Sequence, residues 1–311
     1  LLATSVLLLP LGRISDILGR KRIYLLGIII FILGCLFTIF SKGITFLLSS
    51  RVIQGIGASM IYATNTAILT TLYPEEKGKF LGLNVTAVYL GLSMGPVLSG
   101  VLIQNFPWKS IFFVSFILGI ITLLLSITKN DEKIQKESID FLGTFIYTIS
   151  TILLLYGFSK ITDKIGILLT FLGILGITVF FYREGRVKDP VFDVKLFSKN
   201  RLFLFSNISA LINYGSTSAI SFLMSLYLQY VKNLPPQTTG IILLLQPLFQ
   251  ALFSPFAGRL SDKKDPGKIA SVGMGIISLM LFSLSFIDNN TSIYLIIFLL
   301  SILGFGFALF S

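Results

Sequence analysis

Long apolar stretches separated by short clusters of charge run the length of the chain, and within each stretch the apolar character is continuous rather than alternating. A helix needs about 20 such residues to cross a hydrocarbon core of roughly 30 Å. On that rule the pattern predicts eleven segments, at 1–11, 23–41, 45–72, 80–104, 108–128, 139–159, 165–182, 202–231, 237–257, 269–287 and 291–311. They read as helices and not barrel strands, because an unbroken helix satisfies its own backbone groups in lipid and a barrel strand alternates in polarity. Pro96, Pro247 and Pro255 fall within or near the ends of these segments, where neighbouring helices can cover a freed carbonyl. The stretch 1–11 is too short to span, the first residue is Leu1, and the last stretch runs out at Ser311. The chain therefore reads as a piece of a longer polytopic protein, with no signal peptide at its start.

Composition narrows the class. Hydrophobic residues make up 54% of the 311 and charged residues 13%, with a mean hydropathy of +0.88. A soluble domain carries about 25% charged residues, so the polar coat that faces water is half missing. There is no His, and the one Cys, Cys35, sits in an apolar run. An enzyme built on His, a Cys/His metal cluster or a disulfide frame is excluded by that count, and no cofactor is expected.

The net charge of +11 acquires a meaning once it is placed on the segments. Odd-numbered loops hold nineteen cations: Arg13, Arg20, Lys21, Arg22; Lys77, Lys79; Lys129, Lys133, Lys136; Arg183, Arg186, Lys188, Lys195, Lys199, Arg201; Arg259, Lys263, Lys264 and Lys268. Even-numbered loops hold five, Lys42, Lys109, Lys160, Lys164 and Lys232, and Arg51 is left inside a helix. This alternation puts the odd loops, beginning with 12–22, in the cytoplasm of a multi-pass cell-membrane protein. Nucleic-acid binding would need the basic residues on one folded surface, which alternation denies. All 14 carboxylates fall in loops or at helix ends, so Arg51 is the intramembrane charge. A charge in that position is a functional candidate by its cost alone.

Four groupings carry chemistry. Gly12-Arg13-Ile14-Ser15-Asp16 in the first loop recurs as Gly258-Arg259-Leu260-Ser261-Asp262 in the last cationic one, four of five residues matching, as a chain of two parallel repeats predicts. The first copy continues to Gly19, Arg20 and Lys21, whereas the second has Asp265 where the second glycine would fall. Arg51, Gln54, Gly55, Gly57 and Ala58 set polar groups and small residues on one helix face. Gly91, Gly95, Pro96 and Gly100, with Ser99 beside the last, form a small-residue series around a helix-weakening Gly-Pro step.

These spacings resemble GxxxDxxGRK, RxxQGxGA and GxxxGPxxGG, the signatures of the major facilitator superfamily and specifically of its fourteen-helix drug:proton antiporter branch. The resemblance covers the whole chain. It implies an all-α integral membrane fold of two six-helix bundles with an inserted helix pair, lacking here one helix before Leu1 and two after Ser311. The expected divisions are an N-terminal bundle at 1–128, the inserted pair and linker at 129–200, and a C-terminal bundle at 201–311. By resemblance Gly12, Asp16, Gly19, Arg20 and Lys21, with Gly258 and Asp262, form a latch between the bundles that holds the outward-facing state. Arg51 and Gln54 are then linked to proton coupling, since a fixed positive charge tunes a nearby carboxylate. That carboxylate is expected in the absent first helix. A plainer alternative for Arg51 is snorkelling to the outer interface. Gly55, Gly57, Gly91, Gly95, Pro96 and Gly100 are expected to serve hinge and packing roles, the last four alternatively as tight packing with no antiporter meaning. Trp108 and Lys109 resemble the family's aromatic helix start.

Candidate substrate contacts are the polar and aromatic residues within the segments: Asn65, Asn84, Tyr89, Asn207, Asn213, Tyr227, Gln229 and Gln246. An apolar cavity with few polar groups and no carboxylate suits lipophilic or amphipathic small molecules. The expectation is a monomeric secondary transporter that exports such compounds against proton influx by alternating access. A transporter of a specific metabolite is the alternative, and a non-transporting sensor or scaffold on the same fold is a second.

Overall fold

The computed structural model describes residues 2–127 and 138–311, and the described residues are all-helical apart from turns and connections. Twelve helices follow one another: α1 (Leu2–Leu18), α2 (Arg20–Ile39), α3 (Ile44–Leu72), α4 (Lys77–Asn105), α5 (Ser110–Ser126), α6 (Phe141–Ser159), α7 (Lys164–Glu184), α8 (Lys195–Lys199), α9 (Arg201–Leu226), α10 (Pro236–Ser261), α11 (Pro266–Leu284) and α12 (Ile293–Phe310). A π-helical turn, Tyr227–Val231, closes α9. Every expected segment contains one helix, and α8 is an addition within the linker. Eight of the helices are long and apolar enough to cross a membrane. Of the rest, α1 and α5 each have 17 residues, and α9 is long but carries Ser206, Asn207, Asn213, Tyr214 and Ser216. The expected boundary at 128/129 and the cations Lys129, Lys133 and Lys136 lie outside the described residues.

The chain divides into two compact units, Leu1–Ile68 with Leu102–Arg201, and Leu69–Val101 with Leu202–Ser311. In the first unit α1 does not stop at residue 11. It continues through Leu18, so the first glycine-arginine pentapeptide is the last turns of a helix and not a loop. The break between α1 and α2 is the single residue Gly19, whose φ of 104° lies in the left-handed region open to glycine.

Helices α2 and α3 meet through glycine. A Cβ at Gly34 would stand 2.6 Å from the Gln54 amide nitrogen, one at Gly27 2.6 Å from Met60 Cβ, and one at Gly57 would fall on the Phe31 backbone. On the other side of α2, Gly119 of α5 faces Ile32. Helices α6 and α7 form an antiparallel hairpin packed in the same manner, with Gly157 against Thr170, Gly173 against Leu154 and Gly176 against Ser150. Its ends are tied by charge. Arg183 donates from both terminal nitrogens to Asp140, the Nη2 bond being 3.0 Å, while Asp140 also caps α6 by accepting from the Gly143 N–H at 3.0 Å. The neighbouring Glu184, fully buried, accepts from the Phe192 N–H at 3.0 Å and so holds the linker that follows.

The second unit has a conventional apolar core, in which Ile220, Met224 and Leu228 from α9 and its π turn meet Ile277 of α11 and Leu300, Leu303 and Phe307 of α12. Its 288–291 turn is fastened by Lys232, whose ammonium donates to the Asn289 and Thr291 carbonyls at 2.6 Å. The Asp288 carboxyl is held below its ordinary value there, chiefly by the Thr291 hydroxyl.

Two predictions follow from the α6–α7 hairpin. Gly157→Ala should cost about 1–3 kcal/mol by overpacking a backbone contact, read as a lower Tm in detergent, whereas Gly275→Ala, with open space at its Cβ position, should leave Tm unchanged. Burial raises the Asp140 carboxyl, but hydrogen bonds from Arg183 and the Gly143 N–H outweigh it and leave the group below its ordinary value. A depressed carboxylate stabilises fully above its unfolded pKa of about 3.9 and loses that contribution as pH falls through the lowered value. Thermal melts between about pH 6 and pH 3 should therefore show a loss in the wild type that Asp140→Asn, already lacking the charge, does not repeat.

Candidate functional site

The sequence repeat is also a structural one. In each copy the serine hydroxyl bonds back to the glycine carbonyl three residues earlier, Ser15 to Gly12 at 2.6 Å and Ser261 to Gly258 at 2.8 Å. The two carboxylates that follow take different partners. Asp16 accepts from Arg20 Nε at 2.8 Å in a half-exposed pair one helical turn apart. Asp262, at the C-terminal end of α10, accepts from the backbone N–H groups of Gly78 at 2.7 Å and Lys79 at 2.9 Å. Those are orphan donors in the first turn of α4, where the helix dipole favours a negative charge. A carboxylate on one helix thus caps another.

The approach that permits this cap was not foreseen from the sequence. Helices α4 and α10 run antiparallel with residues at four-residue spacing in contact. A Cβ at Gly258 would fall on the Gly78 carbonyl, one at Gly82 on the Ser254 carbonyl, and Thr86 Oγ1 donates to the Ala251 carbonyl at 2.8 Å. The stripe on α10 is Gln246, Gln250, Ser254, Gly258 and Asp262, a period of four that was legible but had been read only at its two ends and at Gly258.

The second constellation lies in the first unit. Arg51 donates to Gln54 Oε1, and Gln54 Nε2 donates to Cys35 Sγ at 3.1 Å. The guanidinium carbon of Arg51 stands 5.2 Å from the ring centre of Phe112 in α5, within cation–π range. One turn away Thr38 and Ser50 share a buried hydroxyl pair at 2.9 Å. The chain Arg51–Gln54–Cys35 orients the Gln54 amide, because its carbonyl faces the cation and its amino group faces the sulfur. Arg51 is partly exposed along the helix flank, whereas Cys35 is completely buried.

The remaining expected residues are dispersed. A Cβ at Gly12 would stand 3.9 Å from Ala63 Cβ, ordinary contact, and one at Gly55 would stand 3.0 Å from Ala3 Cβ. No described atom lies within 4 Å of a Cβ at Gly91, Gly95 or Gly100, so this series packs on nothing described here. The Pro96 side chain, expected in the same series, lies outside what the structure describes. Asn213 and Gln246 are buried, each 4% exposed, and Tyr89 is half-buried beside the Gln250 amide and the Tyr214 phenol. Asn65 and Asn84 are both half-buried within their helices. Tyr227 serves the 288–291 turn instead, donating to the Asp288 carbonyl at 2.7 Å, and Asn207 and Gln229 bond within their own helix. Lys21 lies in the first turn of α2, after Arg20.

Two cavities border the repeat copies, each within one unit. One, of about 770 Å³, is lined by Gly12, Arg13, Asp16, Tyr62, Lys188 and Asp189. The other, of about 550 Å³, lies between the α4 start and the α10 end and reaches Val85, Ser254 and Ser311. Among the described residues no group of three or more His, Cys, Asp or Glu is placed to hold a metal.

Apolar helices long enough to cross a membrane, packed by glycine and carrying a repeated charged element, define a polytopic membrane protein. The chain belongs to the major facilitator superfamily, whose family profile matches residues 1–311. It is 32% identical to the riboflavin transporter RibZ of Clostridioides difficile, an alignment covering 100% of this chain and 69% of that protein. It is 26% identical to the multidrug resistance protein Stp of Mycobacterium tuberculosis, over 99% of this chain and 59% of the relative. The methyl viologen resistance protein SmvA of Salmonella typhimurium is 28% identical, with 99% and 64% covered. The chain thus spans between 59% and 69% of the length of these three relatives. Among solved structures, the human organic anion transporter TETRAN superposes with a TM-score of 0.68 at 18% identity, covering 99% of this chain and 66% of that one, a likeness of fold. The family is one of transporters and not enzymes.

If the Asp262 cap holds α4, Asp262→Ala should destabilise by about 1 kcal/mol and speed amide exchange at Gly78 and Lys79, while Asp262→Asn, which keeps one acceptor oxygen, should do so less. Exchange at Gly143, capped independently by Asp140, should not change in either variant.

Proposed function

We propose that the chain is the greater part of a proton-coupled exporter of lipophilic or amphipathic compounds, of the fourteen-helix branch, working by alternating access with the 12–22 connection in the cytoplasm. The observation that carries this reading is the carboxylate of the repeat holding a helix N-terminus, Asp262 on Gly78 and Lys79. Such a contact is strong enough to bias a conformation and involves no covalent or apolar commitment, so it can open and close in each cycle. Asp16, on the matching element and paired with Arg20, is taken to serve the opposite bundle in the same way. Two bundles, divided at 128 and 201 around the inserted pair, then rock about a central site. Arg51, oriented through Gln54, is the charge through which proton binding on a facing carboxylate is made sensitive to substrate.

A second reading, transport of a specific polar-edged metabolite such as riboflavin, is favoured by the relative of that name, which aligns along all of this chain. Amides, hydroxyls and phenols in the described helix interiors suit a neutral amphipathic ligand of either kind.

The test is transport by the full-length protein in proteoliposomes, with riboflavin and methyl viologen as probes, with and without an imposed pH gradient. Gradient-driven movement that an uncoupler abolishes is expected. Asp16→Asn should insert normally and stop transport, and Arg51→Lys should lose proton coupling because a point charge does not replace the planar guanidinium. Transport indifferent to the uncoupler, or intact in both variants, would overturn the proton-coupled reading.

A further inference from the structure

We propose that the connection after α7 carries a site for the headgroup of an anionic phospholipid, in a groove of about 510 Å³ lined by Asp193, Lys195, Leu196, Lys199, Asn200 and Arg201. The proposal needs only that the chain lies in a membrane. It is independent of what is carried and of what drives transport.

Ring contacts set the groove at headgroup depth. Helix α7 is one of the helices long and apolar enough to cross a membrane, and its last turn carries Phe181 and Tyr182. Tyr182 is exposed, with the Arg186 guanidinium carbon 4.1 Å from its ring centre, an amphipathic ring of the kind that settles at the membrane–water boundary. A ladder of rings then carries α8 to the same level. Phe181 meets Phe192 at 6.3 Å between ring centres, and Phe192 meets Phe197 of α8 at 5.4 Å. The buried Glu184 accepts from the Phe192 N–H at 3.0 Å, which fixes the middle rung. With Phe197 turned to the ladder, Lys195, Leu196 and Lys199 stand exposed, and Arg201 is the first residue of α9, exposed as well.

Charge selects the ligand. Three cations line the groove against one carboxylate, and that carboxylate is already engaged, Asp193 accepting from the Lys195 N–H at 3.0 Å. Clustered lysine and arginine beside a membrane span attract anionic headgroups, and a guanidinium fork matches two phosphate oxygens. A free phosphate would gain from the cations and nothing from Leu196. A zwitterionic lipid brings its own ammonium against them. An anionic phospholipid meets both features, with its phosphate at Lys199 and Arg201 and its glycerol and first methylenes at Leu196. The groove also sets these cations apart from those that only mark a membrane side. Lys263 and Lys264, exposed between α10 and α11, line none of the three cavities described.

The experiment titrates the full-length protein in neutral detergent with dioleoyl-phosphatidylglycerol or dioleoyl-phosphatidylcholine and counts bound lipid by native mass spectrometry. Phosphatidylglycerol is expected to bind about tenfold or more tightly, a preference that shrinks with added salt. Lys199→Gln combined with Arg201→Gln should remove most of that preference, about fivefold for each cation lost. Lys263→Gln combined with Lys264→Gln, the same loss of charge on another connection, should leave it intact. Hydrogen exchange on the unaltered protein reads the same site without a variant, and phosphatidylglycerol, not phosphatidylcholine, should slow backbone exchange across 193–201. Millimolar inorganic phosphate should not displace the lipid. Equal affinity for the two lipids, an equal loss in both double variants, no slowing at 193–201, or displacement by phosphate would overturn the proposal. No gradient or transported compound is involved, so this result and the transport test stand or fall separately.

Discussion

In lipid, helices gain little by hiding apolar side chains from one another, since the surroundings are as apolar as the side chains. What holds a bundle is close dispersion contact and the hydrogen bonds that close contact permits. This chain obtains both by letting backbones touch. Gly57 meets the Phe31 backbone, Gly34 meets Gln54, Gly173 meets Leu154 and Gly258 meets the Gly78 carbonyl. Two of the polar contacts depend on these approaches. Gln54 reaches Cys35 because α2 and α3 are drawn together at Gly34, and Asp262 reaches the α4 start because Gly258 and Gly78 leave no side chain between them.

Charge is used sparingly and at helix ends. Asp140, Arg183 and Glu184 fasten the hairpin and the linker after it, and Lys232 closes a turn with carbonyls alone. The two repeat copies show how one local structure supports two uses. Their serine-to-glycine bonds are alike, yet Asp16 looks to Arg20 at the start of the next helix, α2, and Asp262 to the start of α4. The difference lies in what stands opposite each copy, not in the five residues themselves.

The eleven helices were legible because continuous apolarity admits few other structures in a membrane. Helix ends were less so. Residues 12–18 are polar enough to look like a loop, yet the helix runs on through Leu18 and breaks only at Gly19. Cys35 looked inert in the sequence because its partner, Gln54, lies on another helix. Gln250 carried a signal in its spacing from Gln246 and Ser254, but its contact with Ser311, 61 residues away, is invisible to any local pattern. The Gly91–Gly95–Gly100 series is the reverse case, a strong pattern with no described neighbour to pack on.

The Asp262 cap has a consequence for how this protein tolerates sequence change. A side chain that holds backbone N–H groups is indifferent to which side chains the held residues carry. Lys79 can drift to almost any residue without loosening the grip, since its own ammonium is turned to Glu76 at 2.8 Å. Two restrictions remain. Proline at 79 removes a donor, and anything larger than glycine at 78 collides with Ser261 and Gly258. A contact central to the fold is thus written in the chain as little more than one aspartate and one glycine, separated by 184 residues.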